Sequence, residues 1–448
     1  MAKKIEPKAI SGFPEWLPEE KILEQRLLDI IRSNFERFGF SPIETSAVEK
    51  VETLVAKGVS SKEIYGLRRL AAEESDDSKD LALHFDLTVP MARYVAQNYH
   101  KLIFPFRRYQ IQKVWRGERS QSGRYREFYQ CDIDIIGDNE LNFLADAEIP
   151  SVIYRIFKEM NIGRFVIRIS NRKILQGYLE SINISKDRMM LVMRIVDKLE
   201  KIGKQRVLSE LINSAEILKR TAEQLLYFIS LSEENNEIIF KKMRDMKINS
   251  LFERGVYELE TVIKQLSSLG VPDDYFKVDI GIVRGLDYYT GTIYETVLVD
   301  YPGIGSICSG GRFDDLASYF IDKKLPGVGI SIGLTRLFSR LTDAEILKVG
   351  PATTAPVLIA SLDETQMIKY FEIATLLRDN GINTEVYTES AKIGDQLKFA
   401  NKKGFTFVVI AGSDELAENS VQLKNLLTGE QHIVKISGLV NEIKNSLK

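Results

Sequence analysis

The hydrophobic pattern of the chain begins with helical spacing. From residue 22 to residue 38, apolar side chains return every three or four positions, which predicts an amphipathic helix. Gly39 stands where a left-handed residue commonly ends a helix, and Pro42 then favours an extended backbone. Farther on, apolar residues alternate with polar ones or run together, which predicts antiparallel strands over residues 83–89, 104–114 and 129–137.

The pattern changes in the middle of the chain. Residues 183–269 are rich in Lys, Glu, Leu and Met and contain no proline, which predicts a helical insertion before the strand pattern returns over residues 278–299. Residues 349–356 have the composition of a linker. Beyond them, apolar runs alternate with helices predicted at 365–379 and 393–402. This order predicts a separate domain with a parallel sheet covered on both faces.

Composition and charge narrow the class of protein. The 448 residues include 61 Lys and Arg against 63 Asp and Glu, a formal net charge of −2, and 44% of them are hydrophobic. These values are typical of a soluble globular protein and exclude a mostly disordered chain. No apolar run approaches the roughly 18 residues of a membrane span, and the N-terminus lacks a secretory signal pattern. A nucleic-acid partner would have to be held by local basic patches.

The two cysteines and three histidines argue against metal or thiol chemistry. They are too few for a structural zinc site, and their small number indicates a reducing, cytosolic compartment. Cys131 and Cys308 lie in apolar, strand-like contexts without a neighbouring histidine, so we expect both to be buried core residues.

The densest polar cluster lies at residues 115–128, WRGERSQSGRYREF. A solvated hairpin loop is the simplest interpretation of this segment. However, the loop stands between two predicted strands, which would hold its arginines on a rigid platform. Several converging guanidinium groups match the oxygens of a polyphosphate or a nucleic-acid backbone. The chain has no Walker-type phosphate loop, so a nucleotide would be bound in another way.

Three further segments carry candidate chemistry. In GIVRGLDYYTGTIYETV (281–297), Arg284 and Asp287 lie in an apolar strand pattern, where they form either a structural ion pair or a site for a charged ligand. In SGGRFDDL (309–316), a glycine pair permits close approach of a ligand, although a lone glycine pair is a weak signal and an ordinary turn is the simpler explanation. In GVGISIGLTRLF (327–338), glycines precede a helix that carries Arg336 on its first turn.

Together these segments resemble the histidyl-tRNA synthetases, a family of class II aminoacyl-tRNA synthetases. HFDLTVPMARYVA and the segment from RYQIQKVWRGER to CDIDIIG are similar to two of its catalytic motifs. GIVRGLDYYTGTIYETV and SGGRFDDL are similar to its histidine-specific segments, and GVGISIGLTRLF to its motif 3. The C-terminal part, including GSDELAENSVQLKNLLTGEQ, is similar to its anticodon-binding domain. RGLDYYTG is the most specific of these matches.

The resemblance implies a fold and a division into domains. We expect an α+β catalytic domain on an antiparallel sheet in residues 1–345, with the helical insertion at about 183–269. A linker at 346–355 leads to an α/β anticodon-binding domain in residues 356–448. The family also implies a homodimer built through residues 39–48, a cytoplasmic location and no membrane association.

The implied activity is ATP-dependent ligation of L-histidine to tRNA(His) through histidyl-adenylate. The substrates are L-histidine, tRNA(His) and ATP with Mg²⁺, and no structural metal is expected. The implied catalytic residues are Arg284 and Arg116, which hold the α-phosphate and the histidine carboxylate. The implied histidine-binding residues are Asp86, Thr88 and Gln130 at the amino group, Asp134 and Tyr289 at the ring nitrogens, and Tyr288, Arg116 and Arg284. The implied ATP-binding residues are Arg116, Arg124 and Arg336 at the phosphates and Phe128 against adenine. Arg119 and Gln121 are implied to meet the tRNA acceptor end.

This chain departs from the family pattern at a few positions. His84 stands where arginine is usual, which puts the support of Asp86 in doubt, and Thr335 stands where motif 3 usually has glutamate. Ser309 and Asp315 replace the common Ala and Gly. The alternative is a catalytically silent paralogue that serves as a regulatory subunit of ATP phosphoribosyltransferase. Such paralogues lack the anticodon domain and degrade RGLDYY, whereas this chain retains both.

Overall fold

The computed structural model describes residues 4–55, 61–70, 80–119, 123–283, 289–315 and 317–447, and the chain divides into two compact units. Unit 1 comprises Met1–Pro14 and Asp29–Leu347, and unit 2 comprises Glu15–Leu28 and Lys348–Lys448. The first half of the N-terminal helix is therefore grouped with the C-terminal residues. Within the described residues, no helix is both long and apolar enough to cross a membrane.

Unit 1 is built on an eight-stranded sheet in the order β1-β4-β5-β10-β9-β8-β6-β7. Its neighbouring strands are antiparallel, except that β1 runs parallel to β4 and β7 parallel to β6. The strands are β1 Ser41–Pro42, β4 Phe106–Trp115, β5 Glu127–Ile136, β6 Phe165–Asn171, β7 Phe276–Val278, β8 Thr292–Leu298, β9 Ser306–Phe313 and β10 Gly327–Gly333. A separate two-stranded sheet pairs β2 Val48–Lys50 with β3 Leu81–Leu83. The predicted antiparallel catalytic sheet is confirmed.

Alternation along β5 gives this sheet one apolar and one polar face. Cys131, Ile133 and Ile135 are almost fully buried, and successive strand residues point to opposite faces. Helix α4, Ala145–Met160, packs against β5 and β10. The polar face carries the residues between these three, and it forms the floor of the candidate site.

The helix predicted over 22–38 is α1, Pro18–Arg37, and Gly39 follows it with a φ of +74°. The strand predicted over 83–89 is wrong beyond Leu83, because helix α3 begins at Thr88. The Asp86 carboxylate accepts the backbone N–H of Val89 at 3.1 Å, and this bond stabilises a helix start where the apolar pattern alone favours a strand.

The predicted insertion is helical throughout its described length. Before the insertion, the chain forms helices α2 Val51–Val55, α3 Thr88–Asn98, α4 and α5 Arg172–Ser181. The helices of the insertion are α6 Lys186–Val196, α7 Leu199–Ile202, α8 Lys204–Asn213, α9 Lys219–Ser230, α10 Asn236–Met246 and α11 Ser250–Ser268. They enclose their own core, in which Val192, Leu211 and Leu225 are fully buried. Gly255 lets α11 approach α5, because a Cβ there would lie 2.8 Å from the backbone nitrogen of Ile174. The insertion is thus a packed helical layer within unit 1.

Unit 2 contains a five-stranded sheet in the order β12-β11-β13-β14-β15. The last helix of unit 1 is α12, Leu334–Asp343. The elements of unit 2 that follow it are β11 Val357–Ile359, α13 Met367–Asp379, β12 Thr384–Val386, α14 Ile393–Lys403, β13 Phe407–Ile410, α15 Ser413–Ala417, β14 Ser420–Asn425, β15 Gln431–Lys435 and α16 Ile436–Ser446. Helices cover both faces, as expected: Tyr370 and Leu439 pack in one apolar cluster, and Ala400 in the other.

The prediction of an all-parallel sheet is wrong for the last two strands of unit 2. β11, β12 and β13 are parallel, whereas β13, β14 and β15 are antiparallel. A tight turn joins β14 to β15, in which Gly429 has a φ of +80° and donates its N–H to the carbonyl of Asn425 at 2.9 Å. A short turn of this kind can connect only antiparallel strands.

Candidate active site

A cavity of about 550 Å³ opens on the polar face of β5, β10 and β9. It draws its lining from segments far apart in the chain, including the start of α3, the loop between β4 and β5, and the start of α12. The sequence-predicted residues in this lining are Asp86, Thr88, Arg116, Arg124, Phe128, Gln130, Asp134, Tyr289 and Arg336. Arg284, Tyr288 and Gln121 lie outside the described residues.

The floor of the cavity is a row of polar side chains on β5. Gln130, Asp132 and Asp134 alternate with the buried apolar residues and pair in register with Gly333, Ser331 and Gly329 of β10, respectively. The Gln130 Nε2 donates to the Ser331 Oγ at 2.8 Å. The strand register therefore fixes the spacing of these groups along the cavity floor.

Asp134 is held between an arginine and a glycine. Its Oδ2 lies 2.5 Å from Nη2 of Arg108, a fully buried side chain on β4. On the other side, a Cβ at Gly329 would stand 2.0 Å from the Asp134 Oδ1, so only glycine leaves room for the carboxylate. Burial raises the pKa of Asp134 to about 7; Arg108 lowers it and the Asp132 charge raises it.

Asp132 is a lining residue that the sequence predictions missed. Burial raises its pKa to about 6, against the opposing charge of Arg108, and its Oδ1 has no hydrogen-bond partner among the described residues. The signal that would have found it is the same alternation that places Gln130 and Asp134 on one face. Arg108 had no such signal, since its pairing depends on the alignment of β4 with β5.

Arg116 joins the β5 floor to the segment before α3. Its Nε donates to the carbonyl of Phe85 at 2.9 Å, and its guanidinium carbon lies 5.0 Å from the centroid of the Phe128 ring. Next to Phe85, Asp86 is partly exposed to the cavity, and burial raises its pKa while the N–H of Val89 and the charge of Arg116 lower it. A cation, an aromatic face and a carboxylate thus converge at one side of the cavity.

Two glycines of β9 leave space for neighbouring groups of the protein itself. A Cβ at Gly310 would lie 2.2 Å from the carbonyl oxygen of Gly329, and one at Gly311 would lie 3.0 Å from the Tyr289 ring. The glycine pair therefore stands inside a strand, where it admits the backbone of β10 and an aromatic side chain. The ordinary turn considered for this segment is wrong.

The arginine-rich loop and the start of α12 bring further cations to the cavity. Arg124 pairs with Glu118 at 3.0 Å, and the Nη2 of Arg336 donates to the carbonyl of Ile304 at 3.3 Å. Both arginines are exposed. Arg119 is also exposed but does not line the cavity, which places it on the outer part of the loop.

The two departures closest to the site have structural roles. The fully buried His84 lies 2.7 Å from the carbonyl of Lys113 through Nε2 and stacks on Trp115, with ring centroids 5.5 Å apart. Burial lowers the pKa of His84, which favours the neutral ring. Thr335, also buried, accepts the backbone N–H of Tyr129 at 2.9 Å. Each side chain supports β4 or β5 behind the cavity.

Both cysteines are buried, as expected. Cys131 lies on the apolar face of β5 and Cys308 on β9, where burial raises the pKa of the Cys308 thiol well above its usual range. A thiol whose ionisation is suppressed in this way is a poor nucleophile.

The cavity combines the groups that a nucleotide and an amino acid require. Arginines face an aromatic ring at one side, and carboxylates with amide and hydroxyl groups line the floor. The sheet is antiparallel, an arginine-bearing loop joins its strands β4 and β5, and helix α12, which follows β10, carries Arg336. This arrangement defines the catalytic domain of a class II aminoacyl-tRNA synthetase. The separate C-terminal sheet has the architecture of that class's anticodon-binding domains.

Comparison with known proteins identifies the family. The family profile described as histidyl-tRNA synthetase matches residues 12–337, and the one described as anticodon binding domain matches residues 356–446. A histidine–tRNA ligase of Clostridium tetani is 46% identical over 446 residues, covering 99% of both chains. The crystal structure of histidyl-tRNA synthetase from Nostoc sp. PCC 7120 superposes with a TM-score of 0.92 at 44% identity, covering 99% of this chain and 100% of the other. The chain belongs to the histidyl-tRNA synthetase family.

A more distant structure shares the fold alone. It is described as an ATP phosphoribosyltransferase regulatory subunit/histidyl-tRNA synthetase from Bacillus halodurans C, and it superposes with a TM-score of 0.73 at 20% identity. The superposition covers 89% of this chain and 97% of that chain. The much higher identity to the ligases, over the whole chain, favours the synthetase over the regulatory paralogue.

Proposed function

We propose that this protein ligates L-histidine to tRNA(His), using ATP as its magnesium complex and histidyl-adenylate as the intermediate. The observation that carries the proposal is the convergence of nine predicted site residues, from four separate segments of the sequence, on one cavity. The full-length similarity to histidine–tRNA ligases supports the same reaction. Each residue role given below is part of the proposal.

Histidine would bind along the floor of β5. Asp86, Thr88 and Gln130 accept from or contact its amino group, and Asp134 accepts a ring N–H. Tyr289 meets the other ring nitrogen, and Tyr288, which lies outside the described residues, lines the pocket. The fixed Arg108–Asp134 pair supports this assignment, because it holds a carboxylate at a defined position without occupying both of its oxygens.

ATP would bind beside the arginines. Phe128 stacks on adenine, Arg116 meets the α-phosphate, and Arg124 and Arg336 meet the outer phosphates. The exposure of the last two side chains towards the cavity supports their assignment, since triphosphate binding requires cations that can reach the ligand.

The reaction would proceed in two transfers. An oxygen of the histidine carboxylate bonds to the α-phosphorus, and the bond from that phosphorus to the bridging oxygen of the β-phosphate breaks, releasing pyrophosphate. A hydroxyl of the terminal ribose of tRNA then attacks the histidyl carbonyl, and AMP leaves. The protein positions the groups and stabilises the charge that develops at the α-phosphate, through Arg116 and through Arg284 in the segment that the structure does not describe.

The tRNA would be held at two places. Arg119, exposed on the outer part of the arginine-rich loop, and Gln121, outside the described residues, would meet the acceptor end. The sheet of unit 2 would bind the anticodon. We further propose a cytoplasmic homodimer joined through residues 39–48, which include the short strand β1.

Histidine-dependent exchange of pyrophosphate into ATP tests the proposal. The wild-type protein should catalyse exchange with L-histidine and charge tRNA(His), and Arg116→Ala should lower the exchange rate by about 10²-fold or more. Lys62→Ala, an exposed change outside the cavity, should leave the rate unchanged. Absence of exchange by the folded wild-type protein would overturn the proposal and favour the regulatory paralogue.

A further inference from the structure

The helical insertion contributes one residue to the active-site cavity. Helix α7 is a single turn, Leu199–Ile202, and Lys201 lies in the cavity lining, which otherwise comes from the sheet, its loops and the starts of α3 and α12. Among the described lining residues, Lys201 is the only one from residues 183–269. A layer that is distant in sequence from every catalytic motif therefore places a cation at the cavity.

The neighbouring residue fixes α7 to the catalytic sheet. Glu200 forms an ion pair with Arg168 of β6, whose guanidinium also contacts Asp279 at 2.7 Å and Glu295 at 3.3 Å. Arg168, Asp279, which directly follows β7, and Glu295 of β8 are buried, so the sheet supplies a fixed partner for the exposed Glu200. Glu200 faces a second cavity of about 400 Å³, whereas Lys201 faces the first. Adjacent residues of a helix point about 100° apart, which accounts for this division.

The ammonium group of Lys201 is available to a ligand. Its side chain is exposed, and no carboxylate pairs with it within the part of the chain that the structure describes. The other cations of the described lining have protein partners. Arg116 donates to the Phe85 carbonyl, Arg124 pairs with Glu118, and Arg336 donates to the Ile304 carbonyl. A lysine offers three donors and a compact charge, which suit a phosphate group better than a neutral ligand.

We propose that Lys201 is a substrate-binding residue for the outer phosphates of ATP and that the Glu200–Arg168 pair positions it. When the bond between the α-phosphorus and the bridging oxygen breaks, the electron pair leaves with pyrophosphate, and Lys201 donates hydrogen bonds to the departing group. This inference rests on the proposed function, since it assigns a further ligand to the same reaction.

Kinetics of pyrophosphate exchange test the role of Lys201. Lys201→Ala and Lys201→Met should each raise the KM for ATP and for pyrophosphate by about tenfold, the effect of removing one charge-assisted hydrogen bond. The KM for histidine should change by less than about twofold. Methionine retains the apolar stem of lysine, so agreement between the two variants attributes the effect to the charge. Lys198→Ala is the matched control, because Lys198 pairs with Glu210 and does not line the cavity.

The positioning role has its own readout. Glu200→Gln should raise the KM for ATP about threefold in the wild-type background and produce no further rise in Lys201→Ala, because the pair acts only through Lys201. A general defect of the insertion would instead raise the KM for histidine as well and would add to the effect of Lys201→Ala.

Two results would overturn the inference. The first is an unchanged KM for ATP and pyrophosphate in both Lys201 variants. The second is a defect confined to transfer of histidine from preformed adenylate to tRNA, which would assign Lys201 to the phosphodiesters of the acceptor end. Both results presuppose active wild-type exchange, so they differ from failure of the proposed function, in which the wild-type protein itself shows no histidine-dependent exchange.

Discussion

At the scale of single residues, the site depends on buried carboxylates whose charge is set by their surroundings. Asp134 and Asp132 lie side by side on the polar face of β5, and burial raises the pKa of each, to about 7 and about 6. Arg108 opposes both shifts from a fully buried position. Their protonation therefore changes within the pH range in which enzymes are usually assayed.

Histidine binding should weaken as the pH falls through the pKa of Asp134. The raised pKa means that the carboxylate is mostly ionised at pH 8 and mostly protonated at pH 6, where it is a poorer acceptor for the ring N–H. We expect the KM for histidine to rise by up to about tenfold over this range in the wild-type protein. Asp134→Asn should have a higher KM for histidine than the wild-type protein at pH 8, and its KM should lack the rise that protonation of Asp134 causes at lower pH.

Dividing the KM for histidine of Asp134→Asn by that of the wild-type protein removes the titration of free histidine, which affects both proteins equally. This ratio should fall as the pH is lowered from 8 to 6, because only the wild-type KM gains the rise due to Asp134. The KM for ATP should stay similar in the two proteins. A ratio that is constant with pH would show that Asp134 does not bind the ring in its ionised form.

At the scale of elements, the first turn of α12 extends the ladder of β10. Strand β10 ends at Gly333, opposite Gln130, so the register of β10 with β5 stops one residue before Tyr129. The hydroxyl of Thr335 accepts this N–H at 2.9 Å in a buried position. Thr335 thus holds the end of β5 that carries Phe128, although the family pattern places a glutamate there.

Removal of that hydroxyl should destabilise the protein. Thr335→Val keeps the shape of the side chain but removes the buried hydroxyl that accepts the Tyr129 N–H, which should lower the free energy of unfolding by about 1–3 kcal/mol. Thr335→Ser keeps the acceptor and should lose less than about 1 kcal/mol. Urea unfolding measures both variants. Equal losses would indicate that the methyl group, rather than the hydrogen bond, matters at this position.

At the scale of the whole molecule, the chain is organised as two units with separate sheets. Every described residue that lines the active-site cavity lies between Asp86 and Leu337, within unit 1. Unit 2 combines Lys348–Lys448 with Glu15–Leu28, which includes the first part of α1. Adenylate formation and anticodon recognition are therefore expected to depend on different units.

A chain that ends at Leu347 should retain histidine-dependent pyrophosphate exchange but charge tRNA(His) poorly at low tRNA concentration. Circular dichroism must first show that this chain folds, because residues 15–28 would lose the rest of their unit. The full-length protein provides the reference for both rates. Unimpaired charging by the folded, shortened chain would contradict the assignment of unit 2 to anticodon binding.

The sequence by itself determined the features that depend on neighbouring residues. Alternation in YQCDIDIIG placed the cysteine and isoleucines in the core and Asp134 on the opposite face, because strand side chains alternate whatever the strand pairs with. The helical insertion and the helix before Gly39 followed from composition and spacing in the same way. The motifs also identified the family, together with nine of the residues that line the cavity.

The tertiary structure decided what depends on contacts between distant segments. The pairing of Arg108 with Asp134 comes from the register of two strands, and the space for that carboxylate comes from Gly329 on a third. The antiparallel direction of β14 and β15 relative to each other depends on a tight turn, and the presence of Lys201 in the cavity depends on how the insertion packs against the sheet. Local sequence patterns carry no record of these arrangements, since each is fixed by packing and hydrogen bonds between residues that meet only in the folded chain.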